Sequence, residues 1–152
     1  MEVDGTLYQK DSFSIELPHF LREQHINVLE LRAIMIAFYF WSPRWRRLKV
    51  IIHTDSTAAW RGLNNLKLRG PGFYPLRHIS LLAASHDILM EPLWIQGKEN
   101  MIADALSRFN WDVLADCCPH WQIPYLLTPY PQISNNLLEL THISGQIFSG
   151  TD

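Results

Sequence analysis

The sequence lacks the features that mark several common classes of protein. Its two cysteines, Cys117 and Cys118, are adjacent, which suits neither a disulfide framework nor the spaced cysteine and histidine pattern of a zinc site. The longest apolar run, Ala33 to Trp41, is too short to span a bilayer, and no basic-then-apolar signal peptide opens the chain. No P-loop, GxSxG elbow or Gly-rich dinucleotide turn is present. We therefore expect an intracellular protein, cytoplasmic or nuclear, that is neither secreted nor inserted in a membrane.

An excess of charge of one sign is also missing. The net charge is -2 at pH 7 and the pI is about 6.4, so any affinity for nucleic acid must come from local clusters. Two runs of basic residues are candidates, although most such runs are only solvated surface. They comprise Arg44, Arg46, Arg47 and Lys49 in the first run, and Arg61, Lys67 and Arg69 in the second.

The composition favours one packed domain followed by a tail. Of the 152 residues, 47% are hydrophobic and six are Trp, which is enough to bury a core. We expect the domain to span residues 1–109. Residues 110–152, in which Trp and Pro are scattered without a clear period, are expected to form an irregular tail or connector.

A short apolar run ends abruptly at an acidic residue. The segment 48–54, LKVIIHT, is typical of a strand buried on both faces inside an α/β sheet. Asp55 then stands at the carboxyl end of the strand, where open α/β sheets bind their ligands. The alternative is that Asp55 or Ser56 only caps the helix that follows.

Two predicted helices carry further carboxylates. The helix expected from Asn27 to Trp41 has Glu30 on an otherwise apolar face, where it is a site residue, part of a capping box with Asn27, or the partner of a nearby arginine in an ion pair. The last helix, expected over 100–109, carries Asp104, which is either a site residue or the partner of Arg108 in an i,i+4 ion pair.

The remaining elements alternate between strand and helix. We expect a hairpin over 3–17 turning near residues 10–12, helices over 57–63 and 76–86, and a strand over 88–95 in which Pro92 indicates a sheet edge or a bulge. Acidic side chains that converge at one sheet edge repel each other unless cations lie between them, and Mg²⁺ favours carboxylates together with phosphate oxygens.

At these residues the chain resembles the ribonuclease H domain of reverse transcriptases, most closely that of DIRS-like and gypsy-like retrotransposons. The matching pieces, in the family's order and spacing, are HINVLELRAI (25–34), HTDSTA (53–58) and IQGKENMIADALSR (95–108). The resemblance covers residues 1–109 and implies a ribonuclease H-like α/β fold, a mixed sheet flanked by helices. It also implies that Glu30, Asp55 and Asp104 are catalytic carboxylates that bind Mg²⁺ (or Mn²⁺).

The same resemblance implies a substrate and its contacts. Asn27 matches an asparagine that contacts the minor groove of an RNA/DNA hybrid, where proteins read 2′-hydroxyls and shape. Arg61 and Arg69, from the second basic run, are expected to bind the hybrid as well. The implied activity is hydrolysis of the RNA strand by two metal ions about 3.5–4 Å apart.

The chain also departs from the family pattern. The family has a fourth carboxylate on its first strand and a histidine before the last helix, and no His lies between Trp94 and Asp104 here. Either Asp4 supplies the fourth carboxylate, or the first strand comes from a reverse transcriptase domain or a second chain. The alternative function is therefore an inactive remnant that binds nucleic acid or protein.

Overall fold

The described chain is an α/β fold. The computed structural model describes residues 2–3, 6–7, 12–14, 19, 23–66 and 73–121. Among the helices in these ranges, none has both the length and the apolar character needed to cross a membrane. The elements, in chain order, are β1 (Glu2–Val3), β2 (Thr6–Leu7), α1 (Ile26–Trp41), β3 (Lys49–Thr54), α2 (Thr57–Asn65), α3 (Phe73–Ser85), β4 (Leu89–Trp94), a 3₁₀ turn (Gly97–Glu99), α4 (Met101–Ser107) and α5 (Trp111–Cys117).

Helix α1 begins one residue earlier than predicted. Its N-cap is His25, whose Nδ1 accepts a hydrogen bond from the backbone N–H of Asn27 at 3.2 Å. The prediction that Asn27 caps the helix was therefore wrong, because His25 adopts the extended backbone of a cap residue while Asn27 is already helical. The predicted capping box between Asn27 and Glu30 is therefore wrong as well, so the Glu30 side chain is available to the site. The helix ends at Trp41, as Ser42 and Pro43 predict.

The main sheet consists of β3 and β4 in parallel register. Lys49 pairs with Leu89, and the ladder runs to Thr54 opposite Trp94. Both strands therefore point their carboxyl ends to the same edge, and the backbone N–H of Ile95 extends the ladder by donating to the Thr54 carbonyl at 3.0 Å. Pro92 pairs with Ile52, and β4 has a strand neighbour on one side among the described residues, which agrees with the edge position that a proline favours.

One face of this sheet builds the core. Ile52 points into a cluster formed with the three helices that pack on that face. The buried members are Leu31, Met35 and Phe38 from α1, Ala59 and Leu63 from α2, Leu76, Ile79 and Ala83 from α3, together with Ile52 and Ile88. Burial of this apolar surface is the main stabilising term of the described fold.

The opposite face of the sheet is exposed. Ile51 is 53% exposed, Leu89 64% and Leu93 40%, and on the same face Lys49 forms an ion pair with Glu91. The prediction that this strand is buried on both faces was therefore wrong for the described chain. A β-branched run also suits a strand with only one buried face, so the pattern does not report whether a second layer covers the other.

A polar group lies beside the core between α1 and α3. The Tyr39 hydroxyl is 2.9 Å from Nδ1 of His78. Burial, followed by the positive charges of Arg77 and Arg32, lowers the pKa of His78. Arg32 itself is buried and donates from Nε to Gln24 at 2.8 Å. His78 is therefore held as a neutral ring in the folded protein.

The described N-terminal residues form a smaller hairpin than predicted. Strands β1 and β2 pair antiparallel, with Val3 opposite Thr6. They form a sheet separate from β3 and do not fill the edge of β3 where a first strand was expected. Residues 12–14 are not a strand, and Ser14 donates to the Leu106 carbonyl at 2.6 Å. The remaining positions of the predicted hairpin lie outside the described residues.

The beginning of the expected tail is helical. Asn110 caps α5 by accepting from the Val113 N–H at 3.4 Å. Helix α5 packs on α4 through a second cluster of buried residues, Ala105, Leu114, Cys118 and Trp121. The prediction of irregular structure was therefore wrong for residues 111–117, where Val113 and Leu114 find an apolar partner surface. Residues 122–152 lie outside the described chain, and a boundary at residue 109 stays a prediction.

Because the two faces of β3 differ in burial, we predict that replacement of Ile52 and of its neighbour Ile51 will change the free energy of unfolding by different amounts. Ile52→Ala should lower the free energy of unfolding by about 2–5 kcal/mol, because it leaves a cavity in the core. Ile51→Ala, at an exposed site, should cost less than about 1 kcal/mol. Urea denaturation followed by tryptophan fluorescence measures both, and equal losses would contradict the assignment of an open face.

The neutral state of His78 predicts a loss of stability in acid. Because the pKa of His78 is lowered from its ordinary value of 6.5, the unfolded chain binds a proton that the folded chain rejects, so stability falls as the pH drops below about 6.5. His78→Gln should remove part of this fall in melting temperature. His53→Gln, at an exposed position of β3, is the matched control and should leave the profile unchanged.

Candidate active site

Asp55 stands directly after β3 with its side chain free of the capping role. Ser56 is the N-cap of α2, and its Oγ accepts a hydrogen bond from the Ala59 N–H at 3.1 Å. The Ser56 N–H in turn donates to Oγ1 of Thr54 at 3.1 Å, so the residues on both sides of Asp55 are fixed. Ser56, and not Asp55, is therefore the cap of α2. The half-buried Asp55 carboxylate lies at the edge of the sheet where β3 and β4 end, which we call the strand-end edge.

Two residues of the neighbouring strand and its turn surround Asp55. The indole N–H of Trp94 donates to the backbone carbonyl of Asp55 at 3.2 Å, although the side chain remains 49% exposed. A Cβ placed on Gly97 would lie 3.4 Å from Oδ2 of Asp55, which is ordinary van der Waals contact, so the turn runs directly beside the carboxylate. Parallel pairing explains both contacts, because it puts the residues that follow β4 next to those that follow β3.

The first turn of α1 joins the same edge. The Ser56 hydroxyl donates to Oδ1 of Asn27 at 3.5 Å, which ties the start of α1 to the start of α2. Glu30 is three residues further along, on the same face of the helix as Asn27. Asn27 and Glu30, from the motif at residues 25–34, therefore lie beside the loop that carries Asp55, from the motif at residues 53–58.

Glu30, Asp55 and Asp104 influence one another electrostatically. Burial of the Glu30 carboxyl, followed by the negative charges of Asp55 and then Asp104, raises the pKa of Glu30. Because exposed charges are screened within about 10 Å, the carboxylates of Asp55 and Asp104 lie within electrostatic reach of Glu30.

Asp104 is also paired with a cation. Arg108 donates from Nε to Oδ1 of Asp104 at 2.7 Å, one helical turn away, and both side chains are substantially exposed. This hydrogen bond, together with the charges of Asp104 and Asp55, raises the pKa of the Arg108 guanidinium. The ion pair predicted as the structural role of Asp104 is therefore present, and it coexists with the proximity to Glu30.

The side chains predicted to bind the metal have the right donor atoms, but they are not arranged around a common position for an ion. Carboxylate oxygens are the protein ligands that Mg²⁺ and Mn²⁺ prefer. Over residues 23–66 and 73–121, however, no three His, Cys, Asp or Glu side chains are arranged so that they could hold a metal ion. Asp104 is turned to Arg108, so the side chains as they stand do not fit the ion.

The predicted substrate-binding residues divide between two places. Arg61 lies exposed on α2, the helix that begins beside Asp55. Arg44, from the first basic run, lies before β3, and Lys49 lies at its start, roughly 17 Å from the carboxyl end of the strand at the rise of an extended chain. Asp4 and Arg69 lie outside the described residues.

Sequence reasoning missed two residues at this edge. Trp94 was treated only as part of a strand pattern and Gly97 only as a turn residue. A signal for Trp94 existed, because a tryptophan at the last position of a strand beside the predicted site is placed to contact it. The bond from its indole to Asp55 depends on the register of β3 and β4, which the sequence pattern leaves open.

Comparisons with known proteins add no assignment. No protein-family model matches the chain, and no curated protein or solved structure is significantly similar to it. The functional argument therefore depends on the motifs and on the geometry of the strand-end edge.

The raised pKa of Glu30 predicts that its carboxylate destabilises the metal-free protein. Between the ordinary value of 4.5 and the raised pKa, the folded chain holds a proton that the unfolded chain has lost, so stability falls as the pH rises through this window and stays lower above it. Glu30→Gln should therefore raise the melting temperature at pH 7 and change it little at pH 4. The gain should be small, because water screens a half-buried group.

The matched control is Glu23→Gln, at an exposed position before α1. Differential scanning calorimetry in the presence of a chelator measures all three proteins. A melting temperature for Glu30→Gln below that of the unaltered chain at pH 7 would contradict the electrostatic cost at this position.

Proposed function

We propose that the chain is a ribonuclease H-like domain that hydrolyses the RNA strand of RNA/DNA hybrids with Mg²⁺ or Mn²⁺. The observation that carries the proposal is the shared electrostatic environment of Glu30, Asp55 and Asp104. They come from three separate motifs, and Asp55 directly follows the carboxyl end of β3, where α/β sheets place their sites. Residues with only a local role, such as helix caps, would not need to lie within electrostatic reach of one another.

The surroundings of these carboxylates suit a polyanionic duplex. Asn27 lies on the same helix face as Glu30 and offers an amide that can donate to 2′-hydroxyls and base edges in a wide minor groove. Arg61 lies exposed on α2 and offers a charge-assisted contact to phosphate. The half-exposed indole of Trp94 provides an apolar surface against which a sugar or a base can pack.

The side chains divide the work of the proposed reaction by position. Hydrogen bonds hold the backbone of Asp55 and of its neighbours, so its carboxylate is attached at a fixed place. Glu30, within electrostatic reach of Asp55 and Asp104, would act beside it as a second carboxylate. Metal-assisted hydrolysis would need Glu30, Asp55 and Asp104 to turn toward a shared Mg²⁺ or Mn²⁺ ion, which would supply the positive charge that activates water and stabilises the leaving oxygen.

The second candidate is a binding module without catalysis. It is favoured by the absence of a formed metal cage within the described ranges and by the pairing of β1 with β2 rather than with β3. In this function the same edge would bind a hybrid or a protein, and a reverse transcriptase domain or a second chain would complete the sheet.

Hydrolysis of a labelled hybrid tests the first candidate. The full chain is incubated with a short RNA/DNA hybrid, labelled on the RNA strand, in Mg²⁺ or Mn²⁺. We expect cleavage of the RNA strand, and Asp55→Asn should lower the rate by about 100-fold or more, because it removes a charged group that acts on the reacting atoms. Duplex DNA of the same sequence should remain intact.

The control variant is Asp112→Asn, which changes an exposed carboxylate on α5. It should cleave at the rate of the unaltered chain. Hybrid that is bound but never cut, in either metal, would reject catalysis and support the binding module. Cleavage that survives Asp55→Asn would point to a contaminating nuclease and reject the proposal for this chain.

A further inference from the structure

The turn between α1 and β3 carries a group of cations that the candidate active site does not use. Arg44, Arg46 and Arg47 are all exposed there, and we call the segment that they define the basic turn. Within the described ranges, no carboxylate forms an ion pair with Arg46 or Arg47. Lys49, by contrast, is paired with Glu91 of the neighbouring strand, so its charge is already neutralised.

Hydrogen bonds fix the backbone of the basic turn at both ends. The Arg44 N–H donates to the Trp41 carbonyl at 2.9 Å. The Leu48 N–H donates to the Trp45 carbonyl, also at 2.9 Å. The Trp45 ring packs edge-on against Phe38 of the core, with the ring centroids 5.2 Å apart. The arginines are therefore attached to a fixed frame, so little backbone freedom is lost when they bind a partner.

Arg47 occupies a backbone conformation that arginine seldom adopts. Its φ is 60°, in the left-handed region, where other residues than glycine and asparagine crowd their own backbone. Its N–H donates to the His86 carbonyl at 3.0 Å, so the contact with the connection from α3 to β4 holds this conformation. Glycine would meet the same constraint at lower cost. A costly side chain at an exposed position favours a use for its charge.

We propose that the basic turn binds the phosphate backbone of a nucleic-acid duplex, at a distance from the carboxylates. The choice of an RNA/DNA hybrid as the partner rests on the proposed function. Guanidinium groups suit this partner, because their planar N–H donors match the oxygens of a phosphate. Asp87, next to the contact with His86, is an exposed carboxylate, but the three arginines of the basic turn outweigh its charge.

The position of the basic turn agrees with a duplex that extends beyond the strand-end edge. The turn precedes the amino end of β3, whereas Asp55 follows the carboxyl end. The length of the strand, roughly 17 Å, therefore separates them. A duplex rises about 3.4 Å per base pair, so the arginines would contact phosphates about five base pairs or more from the carboxylates.

Fluorescence anisotropy with a labelled hybrid, long enough to span the sheet, tests this binding without catalysis. The full chain is titrated into the hybrid in a chelator, at a series of KCl concentrations. At about 50 mM KCl, Arg46→Gln and Arg47→Gln should each bind about fivefold to tenfold more weakly than the unaltered chain. The slope of log affinity against log salt should decrease in magnitude by about one for each, because one phosphate contact is lost.

The matched control is Arg77→Gln, which removes an exposed charge on α3. Its affinity and its salt slope should both stay close to those of the unaltered chain. Equal losses for Arg77→Gln and the two variants of the basic turn would overturn the proposal, because net charge would then explain them.

Arg47→Gly separates a binding role from a structural one. Because glycine adopts the left-handed conformation readily, this variant should melt close to the unaltered chain, as measured by circular dichroism, and lose affinity as Arg47→Gln does. A clearly lower melting temperature would overturn the role of Arg47 in binding, because the side chain would then be needed for the fold.

The outcomes separate the basic turn from the proposed catalysis. Equal affinity of the unaltered chain, Arg46→Gln and Arg47→Gln for the hybrid would overturn the role of the turn, whether or not the chain cleaves. If these variants instead lose binding to vesicles of phosphatidylserine and phosphatidylcholine, a membrane surface replaces nucleic acid as the partner and the proposal is rejected. Binding that depends on the basic turn, in a chain that never cleaves the hybrid, would support the proposal while rejecting catalysis.

Discussion

The parallel pairing of β3 with β4 is the constraint on which the rest of the structure depends. It brings Thr54 and Trp94 to the same end of the sheet, and with them the two chain segments that leave it. Asp55 follows one strand, and Gly97 and the helix bearing Asp104 follow the other. An antiparallel arrangement would have put these segments at opposite ends. Helix α1 joins the edge through Asn27 and Ser56, so the candidate site is assembled from elements that the core holds in place.

The edge carries an electrostatic cost that the core must offset. Burial raises the pKa of Glu30, and the negative charges of Asp55 and Asp104 add to the rise. The chain relieves this strain through Arg108, which neutralises Asp104 without entering the core. Like-charge repulsion of this kind is common at functional sites, where groups are kept for chemistry rather than for stability.

Several features of this fold follow from local sequence signals. The end of α1 at Trp41 follows from the steric effect of Pro43, and the pair between Asp104 and Arg108 follows from helical spacing alone. The position of Asp55 at a strand end follows from an apolar run that stops at a polar residue. Each of these features depends only on residues that are neighbours in the chain, so the sequence pattern is sufficient to predict it.

Other features depend on contacts between distant segments and were missed for that reason. His25 caps α1 although Asn27 is the commoner cap type, because the chain enters the helix in an extended conformation at His25. Helix α5 forms because Leu114 finds an apolar surface on α4, whereas the surrounding Pro and Trp content indicated irregular structure. The contact of Trp94 with Asp55 needs the register of two strands. The exposure of Ile51 could not be predicted, because a strand pattern does not reveal whether a second layer covers that face of the sheet.

The open face of the strand pair gives the molecule two sides with opposite responses to salt. On the strand-end edge, added salt screens the carboxylates from one another and from Arg108, so the interactions there weaken. On the face that carries Ile51, Leu89 and Leu93, exposed apolar surface becomes less favourable in water as strongly hydrated salts such as sulfate are added. Added sulfate therefore weakens the charge interactions at the strand-end edge, whereas on the open face it weakens the Lys49–Glu91 ion pair and makes the exposed apolar surface less favourable.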